Sequence, residues 1–398
     1  YYAVADDSFS VTVRPVQTNT RVTIGNTAVS NQVAPASGVN VPITLLPTQK
    51  DGAWYDFPVF VVSQNGAMTN KKLLRLAYIA VVDDSRLTDL KLNNDAQSLS
   101  ADFYFGKYEY SAIFDDVNTV AITMTKASAT SKVYVDTGAG YGAEVGAGQK
   151  TFTTDALPVK MSGVINLKVV SENAVNTTIY SIKTMVFTST PYDFDGGIKK
   201  YLEAVKLQGE YTPPTPLEGI LTIRDYYGYN DAYYCFYVQD KNAGLYVFLS
   251  LMGNPNRLDM KYKVGHRIKF IASKSKNYYG QMEAVEFTSM TFADGGSDPA
   301  TQTLYPVYAM PAPDFYNNSY QGKIVRVKNT VGLEINDKKV GYFANNTPFH
   351  INDPSVYARI LPKLQVGMGG TFYGPVLWAW GMNQMEFVNE DYCIFDKK

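Results

Sequence analysis

The sequence predicts an all-β chain of four domains, two β-sandwiches followed by two β-barrels. Three observations predict it. Tyr (31) and Phe (20) dominate an aromatic content of 14%, while charged residues reach only 18%; flat and β-branched side chains pack well on pleated surfaces. The 398 residues exceed what one hydrophobic core encloses. Each half of the chain also repeats itself at domain length, which marks duplicated folds rather than a solenoid.

The second-half repeat has three landmarks. Gly219 opens "GILTI" and Gly322 opens "GKIVRV", 103 positions on. Gly265 and Gly367, each after Val, are 102 apart, and Gln281 and Gln384, each in "QME", are 103 apart. In the first half "VVSQNG" (Val61 to Gly66) and "VVSENA" (Val169 to Ala174) are 108 apart. Each lies between two strand-like stretches, the pattern of a hairpin closed by an Asn-centred turn.

Taken in order, residues 1–82 form the first sandwich, with "SFSVTV", "YDFPVF" and "LLRLAYIAVV" as strands. Residues 83–190 form the second, with "EYSAIF" in the place of "SFSVTV". About 25 residues precede that strand in the second copy and about eight in the first. An opening strand is therefore missing from the first sandwich, by trimming or because it comes from elsewhere, unless the domain uses fewer strands or pairs "YYAVADD" differently. A strand supplied from outside would be β-augmentation by a partner. Residues 191–216 are a linker holding Pro191, Pro213, Pro214 and Pro216. Within it "IKKYLEAVK" places Ile198, Leu202 and Val205 at helical spacing. Residues 217–297 make the first barrel, whose second and third strands are joined by "DKNAG", with Asp240 and Gly244 as turn residues. Residues 298–398 make the second barrel, with "DPSVYARILPKL" as a helix between its third and fourth strands.

Leu87, Leu90, Leu92, Tyr110, Asn173 and Tyr180 fall where the cadherin-like (Ig-type) β-sandwich of bacterial envelope proteins has its Leu-rich opening strand, aromatic strand and Asn turn; Ala174 replaces the usual Gly. The second domain resembles that family. Tyr237, Val238, Gln239, Asp240, Gly244, Val264, Gly265 and Ile268 are similar to the "Y-V-Q-D…G…V-G-x-x-I" pattern of OB-like modules in secreted Bacteroidota proteins. The second barrel lacks "Y-x-Q-D" and joins this resemblance only through the internal repeat. The resemblance implies an extracytoplasmic protein, cell-surface and outer-membrane-attached or secreted, and a lipoprotein if an anchor was removed.

No reaction is written in the chain. The patterns G-x-S-x-G, H-E-x-x-H and the P-loop are absent, and the two histidines, His266 and His350, read as strand packing or surface residues. The expectation is a non-enzyme without cofactors. Asp83, Asp84, Asp193 and Asp195 are weak metal candidates in "VDDS" and "DFDGG", against the plainer reading of solvated turns. Cys235 and Cys393 match no zinc spacing and read as buried thiols, with a bridge between them left open. No run is long and apolar enough for a membrane helix. The opening "YYAVADDSFS" has no signal-peptide pattern and no initiator Met, as in a processed product.

The candidate binding surface is aromatic. OB-type barrels bind on a face flanked by loops. Here those loops carry Tyr226, Tyr227 and Tyr229, then Lys274, Lys276, Tyr278 and Tyr279, and in the second barrel Tyr373, Trp378 and Trp380. Trp378 and Trp380 lie two apart and share a strand face, whether as core or as a stacking platform. A formal charge of −1 disfavours nucleic acid. A protein partner in a surface assembly is the leading expectation, as an accessory lipoprotein, adhesin or filament subunit, because exposed Tyr and Trp anchor interfaces. A glycan of an uptake system is the alternative, and single-stranded nucleic acid a third.

Overall fold

The computed structural model describes residues 2–4, 8–13, 21–24, 27–28, 39–44, 54–62, 69–78, 84–93, 99–100, 102–104, 106–225, 235–249, 258–259, 261–311, 321–333, 340–351, 364, 366–379, 382–388 and 392–395. The regular structure among these residues is almost all strand, with one α-helix.

In the first unit, β1 (Tyr2–Val4), β3 (Arg21–Ile24), β4 (Thr27–Ala28), β6 (Trp54–Val62) and β7 (Thr69–Tyr78) form one sheet in the order β1-β7-β6-β3-β4. The other sheet pairs β2 (Ser8–Val13) with β5 (Val39–Thr44). The second unit holds β8 (Leu87–Leu92), β9 (Glu109–Asp115), β10 (Thr119–Val120), β11 (Ile122–Lys126), β12 (Lys132–Asp136) and β13 (Glu144–Val145). It continues with β14 (Thr151–Thr153), β15 (Leu157–Pro158), β16 (Gly163–Val170) and β17 (Thr177–Thr188). Its sheets run β14-β11-β8 and β13-β12-β16-β17, with β9 parallel to β17. Two facing sheets of this order are immunoglobulin-like.

The topology corrects one alignment. Beside the last strand of the first unit lies Tyr2–Val4, parallel to Leu76–Tyr78, as Glu109–Asp115 lies beside β17. "SFSVTV" therefore corresponds to β11 and not to "EYSAIF". Two short, similar strands differ only in which sheet edge they join, and that choice is long-range. In the second unit β8 flanks β11; among the described residues nothing flanks β2 on the corresponding side.

The second unit packs by period-2 alternation: β11 reads buried–half-buried throughout, and Ile165, Leu167 and Val169 of β16 point inward. Tyr180 sits at the centre, its hydroxyl accepting the Leu87 N–H at 3.0 Å. The β16–β17 turn holds Ala174 at φ +60°, the left-handed conformation in which glycine is at ease. This explains why the resembling family has Gly there.

Helix α1 (Ile198–Gln208) buries Ile198, Tyr201 and Val205 against the first barrel, with Leu202 only partly covered. Asp240 does more than close its hairpin. Its Oδ1 accepts the N–H groups of Asn242 and Ala243 (2.8 and 2.7 Å), and its Oδ2 those of Gly196 and Ile198 (2.9 and 3.2 Å). One buried carboxylate thus closes a turn and satisfies orphan donors at a helix start. Burial pushes its pKa up against the pull of these four bonds.

The first barrel is a closed ring: β18 (Leu217–Asp225), β19 (Cys235–Gln239), β20 (Gly244–Phe248), β21 (Arg267–Tyr278) and β22 (Gln281–Phe292), in the order β18-β19-β20-β22-β21, with β20 parallel to β22. A connector with β23 (Val307–Tyr308) and β24 (Met310–Pro311) follows. Then come β25 (Ile324–Leu333), β26 (Val340–Phe343), β27 (Pro348–His350), β28 (Gly369–Ala379), β29 (Met382–Glu386) and β30 (Cys393–Phe395). The pairings β25-β26-β27-β29-β28-β25 close a second ring, again with its third and fifth strands parallel. The repeated sequence landmarks thus sit on equivalent strands or just ahead of them. "DPSVYARILPKL" lies outside the described residues, apart from its last Leu.

The second sandwich and both barrels share one apolar cluster. Ile113, Met161 and Phe187 meet Ile223, Tyr237 and Tyr246, and these meet Ile324, Tyr373 and Val388. Phe187 stacks on Tyr373 at 4.0 Å between centroids. Strand β23 adds to the sandwich sheet, parallel to β17, and Arg326 of the second barrel pairs with Asp115. The linker prolines therefore join bodies that are packed together.

Candidate functional site at the seam of the barrels

The "QME" repeat explains how the barrels meet. Met282 and Ala284 point into the core of the first barrel, and Met385 and Phe387 into that of the second. Alternation turns Gln281, Glu283, Gln384 and Glu386 to the outer faces, yet all four are buried. Gln281 Oε1 accepts the Trp378 N–H of the other barrel at 2.8 Å, and Tyr237 donates its hydroxyl to Glu386 at 3.1 Å. Gln239 takes the Ile324 N–H (2.9 Å) and gives its amide to the Tyr308 carbonyl (3.3 Å). The backbones of Gly244 and Gly322 touch: a Cβ on Gly244 would lie 2.1 Å from the Gly322 carbonyl carbon. Glu283 is buried opposite Lys276, and desolvation, partly countered by that lysine, lifts its pKa to about 7.

At one end of this seam the β21–β22 hairpin projects. Tyr278 pairs with Gln281, leaving Tyr279 (φ +50°) and Gly280 (φ +99°) as a two-residue loop with both φ positive, a geometry matched to strand twist. Asn277 Oδ1 accepts the Gly280 N–H at 2.9 Å. Gly280 is required twice, for its φ and because a Cβ there would lie 2.8 Å from Trp378 Nε1. Gln321 fastens the loop from the second barrel, donating to the Gly280 carbonyl at 2.8 Å. On this held loop Tyr279 is 85% and Tyr278 49% exposed, with Trp378 half-buried beside them. Lys276 lies 4.7 Å from the Tyr278 ring, and Lys274 pairs loosely with Glu286 at 3.9 Å.

The structure therefore brings together Lys276, Tyr278, Tyr279 and Trp378, with Lys274 farther down the same strand. Tyr226, Tyr227, Tyr229 and Trp380 lie outside the described residues. Tyr373 is a correction: it is fully buried against Phe187 and presents nothing to a ligand. Its strand face, solvent-facing in an isolated barrel, is covered by the sandwich.

The remaining candidates have local explanations. Both oxygens of Asp84 are held by Arg86 at 2.5–2.8 Å. Asp195 accepts the Gly197 N–H at 2.9 Å, Asp193 is exposed, and Asp83 lies outside the described residues. Among the described residues no three His, Cys, Asp or Glu side chains gather as metal ligands would. His266 is buried, its Nδ1 accepting the Lys263 N–H at 2.9 Å; burial, then the nearby Lys263 charge, lowers its pKa to about 4. His350 is buried on β27 in register with Glu386. Cys235 and Cys393 are both buried and not bridged. No described helix is long and apolar enough to cross a membrane.

Fold and site define a multidomain all-β chain with immunoglobulin-like sandwiches, closed barrels and a presented aromatic loop. No protein-family model and no curated protein matches the sequence. Solved structures similar to parts of it include fibronectin(III)-like modules. The fibronectin(III)-like modules of Clostridium thermocellum CbhA are 14% identical, covering 47% of this chain and 88% of theirs at a TM-score of 0.18. Murine CEACAM1b is 12% identical, covering 46% and 95% at 0.17. Bacteroides ovatus SGBP-B, solved with a mixed-linkage heptasaccharide, is 10% identical, covering 63% and 68% at 0.23. Scores this low carry no functional argument, and the sandwich class rests on strand order.

Proposed function

We propose that the chain is a non-catalytic, extracytoplasmic binding protein, cadherin-like in its sandwiches and OB-like in its barrels, that docks a protein partner through the Tyr278–Tyr279 loop and Trp378. The observation that carries this is a pair of exposed tyrosines on a loop held by the neighbouring barrel. A loop already ordered loses little entropy on binding, and aromatic anchors of this kind dominate interface energies. The OB-like reading is supported by two rings of identical connectivity. Placement on the surface of a Bacteroidota-type cell, with a lipid anchor, rests on the sequence resemblance alone.

A photo-crosslinking amino acid at Tyr279, introduced in the native host, tests the docking. One discrete protein adduct is expected, absent when the same group replaces exposed Lys150. No adduct, or the same adducts from both positions, would refute it. The glycan reading takes its place if polysaccharide retards the chain in native gels and Tyr279→Ala with Trp378→Ala abolishes the retardation.

A further inference from the structure

Away from that loop, a pocket of about 280 Å³ opens between the first barrel and the connector, lined by Glu218, Arg267, Lys269, Asp294, Gln302 and Tyr305 among others. Its cations are held from behind. Glu218 Oε1 lies 2.5 Å from Arg267 Nε, and Oε2 lies 3.4 Å from Lys269 Nζ, which also donates to the Ala293 carbonyl at 3.2 Å. The Arg267 guanidinium carbon lies over the Phe194 ring, 3.9 Å from its centroid. Nε lies against Glu218 as an ion pair without a hydrogen bond to it, and the fork of the two Nη groups makes no hydrogen bond within the described residues. A planar guanidinium fork of this kind fits a carboxylate with two parallel bonds. Across the pocket, Asp294 accepts the Gly296 N–H at 2.9 Å, and the Gln302 amide, once turned end for end so that its nitrogen faces the carboxylate, donates to both Asp294 oxygens at 2.8 Å. Its remaining lone pairs suit hydroxyl donors. Tyr305 forms the wall, one-third exposed and pinned by its N–H to the Gly265 carbonyl at 2.8 Å.

We propose that this pocket binds an acidic saccharide unit. The ring's carboxylate pairs with the Arg267 fork, its hydroxyls donate to Asp294 and accept from Lys269, and its C–H face lies on Tyr305. The ligand must carry an anion at one end and donors at the other, as a uronic acid does. The reading is independent of the aromatic loop, which lies at the other end of β21.

Titration calorimetry of the full chain with a galacturonate trisaccharide, the neutral galactose trisaccharide and free glutamate tests it. The acidic sugar is expected to bind about 10- to 100-fold more tightly than the neutral one, the range of a charge-assisted pair. Arg267→Lys, which keeps the positive charge but not the fork, should lose about 10-fold or more at an unchanged melting temperature. Tyr305→Ala should weaken binding, and Tyr279→Ala should leave it unchanged. Equal affinity for the two sugars, undiminished binding by Arg267→Lys, tighter binding of glutamate, or no binding of any of the three would overturn the proposal. A crosslinking failure at Tyr279 would leave this result untouched, so the two readings fail separately.

Discussion

Replacing Gly244 by Ala tests whether the barrels form one body. The added Cβ would lie 2.1 Å from the carbonyl carbon of Gly322 and 2.4 Å from the Lys323 nitrogen. Ordinary contact begins near 3.4 Å, so the two backbones must separate by roughly 1 Å, and a close-packed interior yields poorly. Neither obstacle is a side-chain tip that can swing away. Overpacking costs about 1–3 kcal/mol, and two backbones place this case at the upper end. The shift would also strain the Gln239 bonds to Ile324 and Tyr308, and an abandoned buried partner costs about 1–3 kcal/mol. At about 2–4 °C per kcal/mol for a body of 150–250 residues, the overpacking of about 3 kcal/mol should by itself lower the melting temperature by roughly 6–12 °C. Differential scanning calorimetry reads this, with Gly142→Ala as the control, because that position has nothing within 4 Å and no positive φ. Equal melting of the two variants would mean that the seam does not hold the barrels together in solution.

Two further outcomes follow from single groups. The Glu283 pKa stands at about 7 against an ordinary 4.5, so the folded state retains a proton that the unfolded state releases. Its contribution is fully present below pH 4.5 and is lost as pH rises toward 7, about 3 kcal/mol in all; Glu283→Gln should remove this loss in denaturant melts at pH 5 and pH 8, and an unchanged slope would place the carboxylate in contact with water. Ala174→Gly should raise stability by about 0.5–1 kcal/mol by relieving the φ of +60°, a gain that urea unfolding of the wild type and variant would show or deny.

The sequence by itself determined the class of the fold and its duplication. Alternation in "GVINLK", the Asn turn after Val170 and Asp240 in its hairpin are each encoded within a few residues, and the offsets joining Gly219 to Gly322 and Gln281 to Gln384 are read by comparing the chain with itself. Backbone periodicity and turn chemistry are local, so they can be read locally. Tertiary structure alone decided which outer faces are covered. Tyr373 and Trp378 stand on opposite faces of one strand, the first sealed by Phe187 of the sandwich and the second lying against Gly280 of the first barrel. Asp240 showed itself as a turn residue but not as the cap of a helix more than 40 residues earlier. Arg267 and Lys269 showed themselves as alternate residues of "HRIKF" but not as neighbours of Glu218 and Asp294. A strand specifies which side chains point outward; whether water, a partner or another domain meets them depends on contacts such as Gln281 to Trp378, 97 residues apart, which no local pattern contains.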